Sequence, residues 1–338
     1  MTARNVHGTR RRRRPYRRGH EGEPSAENAA GEPVALHVPV LLDEVRRALD
    51  VRPGGCFVDG TLGLGGHAAA ILAASGPDGR LLGIDADPQA RALATEQLAP
   101  FGERVTIVAG NNRDLAAIGR ERGFQLVDGV LLDLGVSSLQ LGPQGRGFSI
   151  RHDAPLDMRM DPSVEPSAAG IVNEWPEAEI ARVLWEYGDE RRSRRIAAAL
   201  VAARPLHTTT ELAAVVSRAI GSGGPIHPAT RTFQALRIAT NDELGALRAA
   251  LEGALALLRS PGGKLAVISF HSGEDRIVKE FIRRERSDCL CPPEQLVCIC
   301  GQTPRLKDGA RRVITPSPAE REANPRSRSA KLRVAERC

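Results

Sequence analysis

Four short apolar segments, 56–59, 80–85, 105–110 and 127–134, limit what this chain can fold into more than any other feature. Between them, residues 67–74, 87–98 and 113–121 read as helices, with Asp87-Pro88 as the N-cap and first helical residue of the second. Strands that alternate with helices pair in parallel, because each helix carries the chain back to the same end of the sheet. The pattern predicts an α/β fold built on a parallel sheet, with a helix over 38–49 leading into it.

The alternation stops after Gly135. Residues 177–187, 190–203, 211–220, 228–239 and 243–259 follow with helical spacing and no convincing strand. Thr208-Thr209-Thr210-Glu211 offers capping candidates for the third of these helices, and Asn241-Asp242 for the last. After Pro261-Gly262-Gly263 a strand over 264–270 rejoins the sheet, and a helix over 274–284 follows. The expected organisation is a disordered basic tail over 1–33, a sheet domain over 34–140 and 246–338, and an inserted all-helical substrate domain over 141–245. The Pro- and Arg-rich stretch 287–338 is expected to cross the surface in extended segments.

At 338 residues the chain exceeds one small module, and 41% hydrophobic with 26% charged residues is a globular composition. Its formal charge of +6 hides a division. The first twenty residues hold eight Arg and no acid, 305–337 hold ten basic and four acidic residues, and 21–304 carry 29 basic against 37 acidic. Basic ends of this kind touch phosphates or are merely solvated. Only eleven aromatics are present and none form a stripe, which argues against an array of stacked bases and favours one flipped base if RNA binds. No apolar run is long enough for a bilayer and no apolar segment follows the Arg-rich start, so the expected location is the cytoplasm.

The chemistry is expected where the first strand, ending in Asp59, breaks into Gly60-Thr61-Leu62-Gly63-Leu64-Gly65-Gly66 before a helix. Glycine lets backbone N–H groups approach a ligand, although it also lets helix and sheet pack closely. Twenty residues beyond Gly65 the second strand ends in Asp85, whose carboxylate could accept the hydroxyls of an adenosine ribose or cap a neighbouring helix. A nicotinamide cofactor and S-adenosylmethionine both suit that pair. Asp133-Leu134-Gly135-Val136-Ser137-Ser138, at the end of the fourth strand, favours a methyltransferase, because it sets a carboxylate where a methyl acceptor would meet a sulfonium.

His37-Val38-Pro39-Val40-Leu41, Asp59 to Gly63 with Gly65-Gly66-His67, Asp133 to Ser138, Pro155-Leu156-Asp157-Met158-Arg159-Met160-Asp161, Ser269-Phe270-His271-Ser272 and the run from Asn324 to Arg333 occur in order. In these motifs, from His37 to Arg337, the chain resembles the RsmH (MraW) family of bacterial 16S rRNA cytosine-N4 methyltransferases. The resemblance implies an α/β, class I (Rossmann-like) methyltransferase sheet with an inserted all-helical domain. It implies S-adenosyl-L-methionine as cofactor, and 16S rRNA within the 30S subunit as partner. A homodimer is left open and no membrane is involved.

Carried over residue by residue, the cofactor positions are Gly65, Gly66, His67, Asp85, Asn112, Asp133 and Gln140. Gly65 to His67 would face the methionine end, with the His67 backbone N–H mattering more than its side chain, Asp85 the ribose, and Asn112 the adenine. Asp133 is the catalytic candidate, as hydrogen-bond acceptor from the N4 amine, whose lone pair is delocalised into the cytosine ring. His271, Asp275, Asp157 and Arg159 either line the base pocket or order their loops. A protein that keeps the fold and binds RNA without turnover, and a nicotinamide-dependent oxidoreductase, are the competing readings; intact Asp85 and Asp133 disfavour the first, and the Asp133 loop disfavours the second.

No metal is assigned to the catalytic site. Cys289-Leu290-Cys291 and Cys298-Ile299-Cys300 could hold zinc or remain free thiols, with stable disulfides least favoured in a reducing compartment.

Overall fold

The structure is a computed structural model that describes residues 38–142, 146–221, 226–292, 294–295 and 297–338. The basic tail expected over 1–33, and His37, lie outside the described residues. Strands β1 (Cys56–Asp59), β2 (Arg80–Asp85), β3 (Val105–Ala109), β4 (Gly129–Asp133) and β5 (Lys264–Ser269) pair in parallel. With β6 (Leu306–Asp308) and β7 (Lys331–Arg337) they form a seven-stranded sheet of order β3-β2-β1-β4-β5-β7-β6, in which β7 runs antiparallel to both neighbours. Strands β1 to β5 are the parallel α/β sheet that the alternation predicts, and the fold is of the Rossmann-like class that the resemblance implies.

Parallel strands covered on both faces read as continuous apolar runs, and β2 and β4 do so. Their side chains alternate between two clusters. Phe57, Leu81, Leu131 and Ile268 face α1 (Leu42–Ala48), α2 (Gly66–Ala74) and α3 (Pro88–Leu98). Val58, Leu82, Val130, Leu132 and Val267 belong to the cluster completed by α4 (Leu115–Glu121) and two helices later in the chain. The order of strands reverses between β1 and β4, and in open α/β sheets such a switch point creates the ligand crevice, at the carboxyl ends of the strands.

Between β4 and β5 the described chain forms α5 (Ser138–Leu141), α6 (Ala168–Glu174), α7 (Glu177–Gly188), α8 (Ser193–Ala202), α9 (Thr209–Ile220), α10 (Thr230–Asn241) and α11 (Glu243–Leu257). Helices α6 to α10 bury a cluster of their own, including Ile171, Ile180, Leu184, Leu200, Leu212 and Leu236. Helix α11 instead packs on the sheet, as does α12 (Ser272–Arg286). Thr208 and Glu211 form the expected capping box at α9. The cap expected from Asn241-Asp242 does not form: Asp242 is left-handed (φ 45°) with no side-chain cap bond, and its carboxylate pairs with Arg113 at 3.0 Å. Helices α5 and α6 are one or two turns long, too short for periodicity to reveal.

The C-terminal stretch departs most from expectation. It contributes β6, β7 and, between them, α13 (Pro318–Ala323), and β7 pairs with β5 along Lys264↔Glu336 to Ser269↔Lys331. Buried Leu332 and Val334 alternate with Lys331 and Arg333, whose charges meet Asp275 of α12 at 3.0 and 2.7 Å. Two of the basic residues that suggest a surface strap, Lys331 and Arg333, are therefore paired with a carboxylate of the fold, while Arg311, Arg312, Arg321 and Arg328 stay exposed. Among the described residues no helix is long and apolar enough to cross a membrane.

Candidate active site

The turn after β1 uses its glycines in two ways. A Cβ on Gly60 would lie 2.7 Å from the Leu132 side chain and one on Gly66 2.5 Å from Pro39, so these two allow close packing. Gly63 and Gly65 have φ of 53° and 86°, the left-handed region that side chains disfavour. Above Gly63 the space is open, since an added Cβ would meet nothing nearer than the Thr61 carbonyl at 3.8 Å. Gly65 is the N-cap of α2 and brings no capping side chain, which leaves the first N–H groups of that helix available to an anion.

At the ends of β1 and β4 two aspartates flank His67. Its ring is buried, with Nε2 3.4 Å from Asp133 Oδ2, and neither ring nitrogen has a hydrogen bond of good geometry among the described residues. Thr61 links the Asp59 carboxylate to the Asp133 backbone: its N–H donates to Asp59 Oδ1 at 3.1 Å, and its hydroxyl accepts from the Asp133 N–H at 2.6 Å. Asp133 Oδ1 is buried and, among the described residues, without a partner. The His67 side chain is thus part of the charge arrangement, against the expectation that it matters less than the backbone N–H.

The remaining expected cofactor residues differ in how free they are. Asp85 is already engaged, Oδ2 accepting from Gly63 N–H at 2.7 Å and Oδ1 from Asp87 N–H at 2.8 Å, so it latches the glycine turn to the end of β2. Asn112 opens the short helical turn after β3, half-buried, while its neighbour Asn111 does the capping. Gln140 is buried with its amide committed: Oε1 accepts from Ser137 N–H at 3.0 Å and Nε2 donates to Asp87 at 3.0 Å. Arg146 also donates to that Asp87 carboxylate, joining the β2 and β4 loops.

Asp157 and Arg159 pair with each other at 2.7 Å, and Asp275 is held by Lys331 and Arg333. His271 caps α12 in a capping box with Glu274. All four therefore have structural duties. Sequence reasoning gives no role to Asp59, Thr61 or Arg326. Arg326, in the run from Asn324 to Arg333, donates to the Ser138 hydroxyl, and Asn324 donates to the Val38 carbonyl at 3.0 Å. The quoted N- and C-terminal motifs thus meet beside the β4 loop, and their shared place in the motif set was the available signal.

A site for S-adenosylmethionine should offer unmet polar groups beside a glycine turn. Asp133 Oδ1, the His67 nitrogens, the uncapped α2 and the open space above Gly63 meet that test. Burial pushes Asp59 and Asp85 each up to about 6, outweighing His67 and the Thr61 N–H beside Asp59 and the backbone N–H groups on Asp85. Burial pulls His67 down, but Asp133 and then Asp59 outweigh it and the imidazole is raised.

All three groups hold a proton more tightly folded than unfolded, where Asp titrates near about 3.9 and His near about 6.5. Their contribution to stability is full below those unfolded values. It declines through about pH 4 to 6 for the aspartates, and above about pH 6.5 for His67. The ligand-free protein is expected to melt at a lower temperature at about pH 8 than at about pH 5, and Asp59→Asn is expected to shrink the difference. Scanning calorimetry across that range checks both; a flat profile for the unaltered chain would contradict the assignment of these buried protons.

Residues 34–338 match the family described as the MraW methylase family. A small-subunit rRNA methyltransferase H from Symbiobacterium thermophilum is 54% identical over 306 residues, covering 88% of this chain and 95% of that protein. The protein of the same name from Heliobacterium mobile is 54% identical over 310 residues, covering 89% and 98%. Among solved structures, an rRNA methylase from Streptococcus thermophilus aligns over 90% of this chain and 99% of its own, at 12% identity and TM-score 0.41.

Proposed function

The chain belongs to the MraW methylase family of S-adenosylmethionine-dependent methyltransferases, and from that membership we propose that it methylates N4 of a cytidine in the decoding region of 16S rRNA. The observation that carries the reading is Asp133 Oδ1, buried and unpartnered beside His67 at the β1–β4 switch point. When bound, S-adenosylmethionine supplies an electrophilic methyl group on a sulfonium. The N-terminus of α2 suits its carboxylate, Asp85 its ribose, Asn112 its adenine, and Gln140 steadies the loop beneath.

Asp133 Oδ1 accepts a hydrogen bond from the exocyclic N–H of the cytosine. That draws electron density onto the nitrogen and favours its pyramidal form, which the ring-delocalised amine resists. His67, held between two carboxylates, fixes the orientation of Asp133 and balances its charge. Once the nitrogen is methylated it must lose a proton, and Asp133 is placed to receive it.

The helical insertion is assigned to the rRNA. A cavity of about 880 Å³ is lined by Trp185 and Tyr187 of α7 with Arg231, Arg248 and Arg276, from α10, α11 and α12. The three arginines are exposed and Trp185 is 58% exposed, a combination suited to phosphates and one stacked base. Ser272 beside it donates to Asp189 at 3.3 Å, which ties the cavity wall to the end of β5.

Arg248→Glu with Arg276→Glu is expected to raise KM for unmodified 30S subunits by about tenfold or more at low salt, leaving kcat at saturation within about twofold. An unchanged KM would remove this cleft from the RNA path. The function itself is tested by methyl transfer from labelled cofactor to unmodified 30S subunits, followed by mapping of the modified base. A label on a ring carbon, a ribose or another base would overturn the N4 reading.

A further inference from the structure

The segment between α12 and β6 leaves and re-enters the fold at one point. Arg305 N–H donates to the Glu285 carbonyl at 2.8 Å and its guanidinium reaches the Glu285 carboxylate at 2.5 Å, so residues 286–304 form a closed loop. Closing such a loop costs chain entropy that contacts within it must offset. Apolar contacts of its described residues do not supply them. Among its described residues from 287 to 304 none is buried, and Leu290, Val297 and Ile299 are exposed by 48%, 71% and 77%.

What converges inside the loop is sulfur. The four Sγ atoms of Cys289, Cys291, Cys298 and Cys300 all lie within 4.8 Å of one another. Cys298 Sγ is 3.6 Å from Cys300 Sγ and 4.0 Å from Cys291 Sγ, and all four thiols are free. A tetrahedral zinc with Zn–S bonds of about 2.3 Å has sulfur–sulfur edges of about 3.8 Å, between the two observed separations, whereas a disulfide needs about 2.05 Å. Two backbone N–H groups already point at sulfur: Leu290 N–H donates to Cys300 Sγ at 3.3 Å and Cys291 N–H to Cys289 Sγ at 3.4 Å. Donors of this kind orient metal-bound thiolates and take up part of their charge.

We infer that Cys289, Cys291, Cys298 and Cys300 form a closed tetrathiolate site that binds one structural zinc ion and locks the 286–304 loop. Four thiolates fill the coordination sphere, leaving no open position for a substrate, so the ion acts by cross-linking and not by catalysis. All-sulfur tetrahedral donors select zinc over calcium or magnesium, which take oxygen ligands. In the other convergence of ligand-type side chains among the described residues, Glu243, His271 and Glu274, the two carboxylates are already engaged. Arg237 holds Glu243 through two bonds of 2.7 Å, and Glu274 accepts the Phe270 and His271 N–H groups. With the ion in place, Val297 and Ile299 are displayed on a fixed loop and not on a floppy one.

The test is the metal content of the full chain purified under reducing conditions, with plasma mass spectrometry as the readout. The expected result is one zinc per chain, lost in Cys298→Ser with Cys300→Ser and kept in Cys338→Ser. Zinc-free protein reloaded with cobalt is expected to show the intense visible bands of a tetrahedral tetrathiolate, again absent from the double variant. Because none of the loop's described residues from 287 to 304 is buried, stripping the ion should leave the circular dichroism of the sheet domain unchanged while opening residues 287–304 to protease. Protein that carries no zinc and gives no tetrathiolate cobalt spectrum overturns the assignment, as does zinc retained by the double variant or iron at the same stoichiometry.

Discussion

Asp133→Ala is expected to lower the single-turnover rate of methyl transfer to 30S subunits by about 10² to 10⁴-fold at saturating cofactor. The change deletes the unpartnered Oδ1 and also the carboxylate oxygen 3.4 Å from His67, so the acceptor and the neighbour that raises the imidazole disappear together. Asp133→Asn keeps an oxygen of the same reach without its charge, and its rate should fall between those of the alanine variant and the unaltered chain. Both variants should fold, since Asp133 is only partly buried and its backbone N–H bond to Thr61 survives. Cofactor affinity by calorimetry separates the roles: a large rate loss with little change in affinity assigns Asp133 to the acceptor amine, and a parallel loss assigns it to the cofactor. Near-normal rates in both variants would exclude a catalytic role.

How far the sequence alone discloses this arrangement depends on the range of the interactions. Strands β1 to β5 are legible because alternation and glycine turns are local signals. Strand β7 is not, because it pairs with β5 across 62 to 72 residues and carries Lys331 and Arg333, whose partner Asp275 lies 56 and 58 residues away. The same holds in the site. The glycine turn, Asp85 and Asp133 can be picked out as strand-end residues. That Asp85 spends both oxygens on Gly63 and Asp87, and that Gln140 is tied to Asp87, emerges only when three loops meet. His67 reads as a plain helix start until the ends of β1 and β4 enclose it, because its two carboxylates lie 8 residues before it and 66 after it.

Asp85 is where stability and binding should separate most clearly. Its carboxyl is held up to about 6 by burial, so above that pH the folded protein carries a buried charge that, among the described residues, two backbone N–H groups and Arg91 compensate. Asp85→Asn removes the charge, retains one acceptor oxygen and leaves one of the two N–H groups without a partner. Near pH 7.5 the relief of about 3 kcal/mol from the missing charge and the loss of about 1 to 3 kcal/mol from the orphaned donor oppose each other, so the melting temperature of the ligand-free protein should change little. Cofactor binding has no such compensation. The ribose hydroxyls lose a charged acceptor and the turn carrying Gly63 loses half its latch, so affinity for S-adenosylmethionine should fall by about 10- to 150-fold in Asp85→Asn, and further in Asp85→Ala, where neither N–H keeps a partner. Titration calorimetry and thermal melts on the same samples make the comparison. A lower melting temperature with unchanged affinity would reduce Asp85 to a latch for the turn and take it out of the cofactor site.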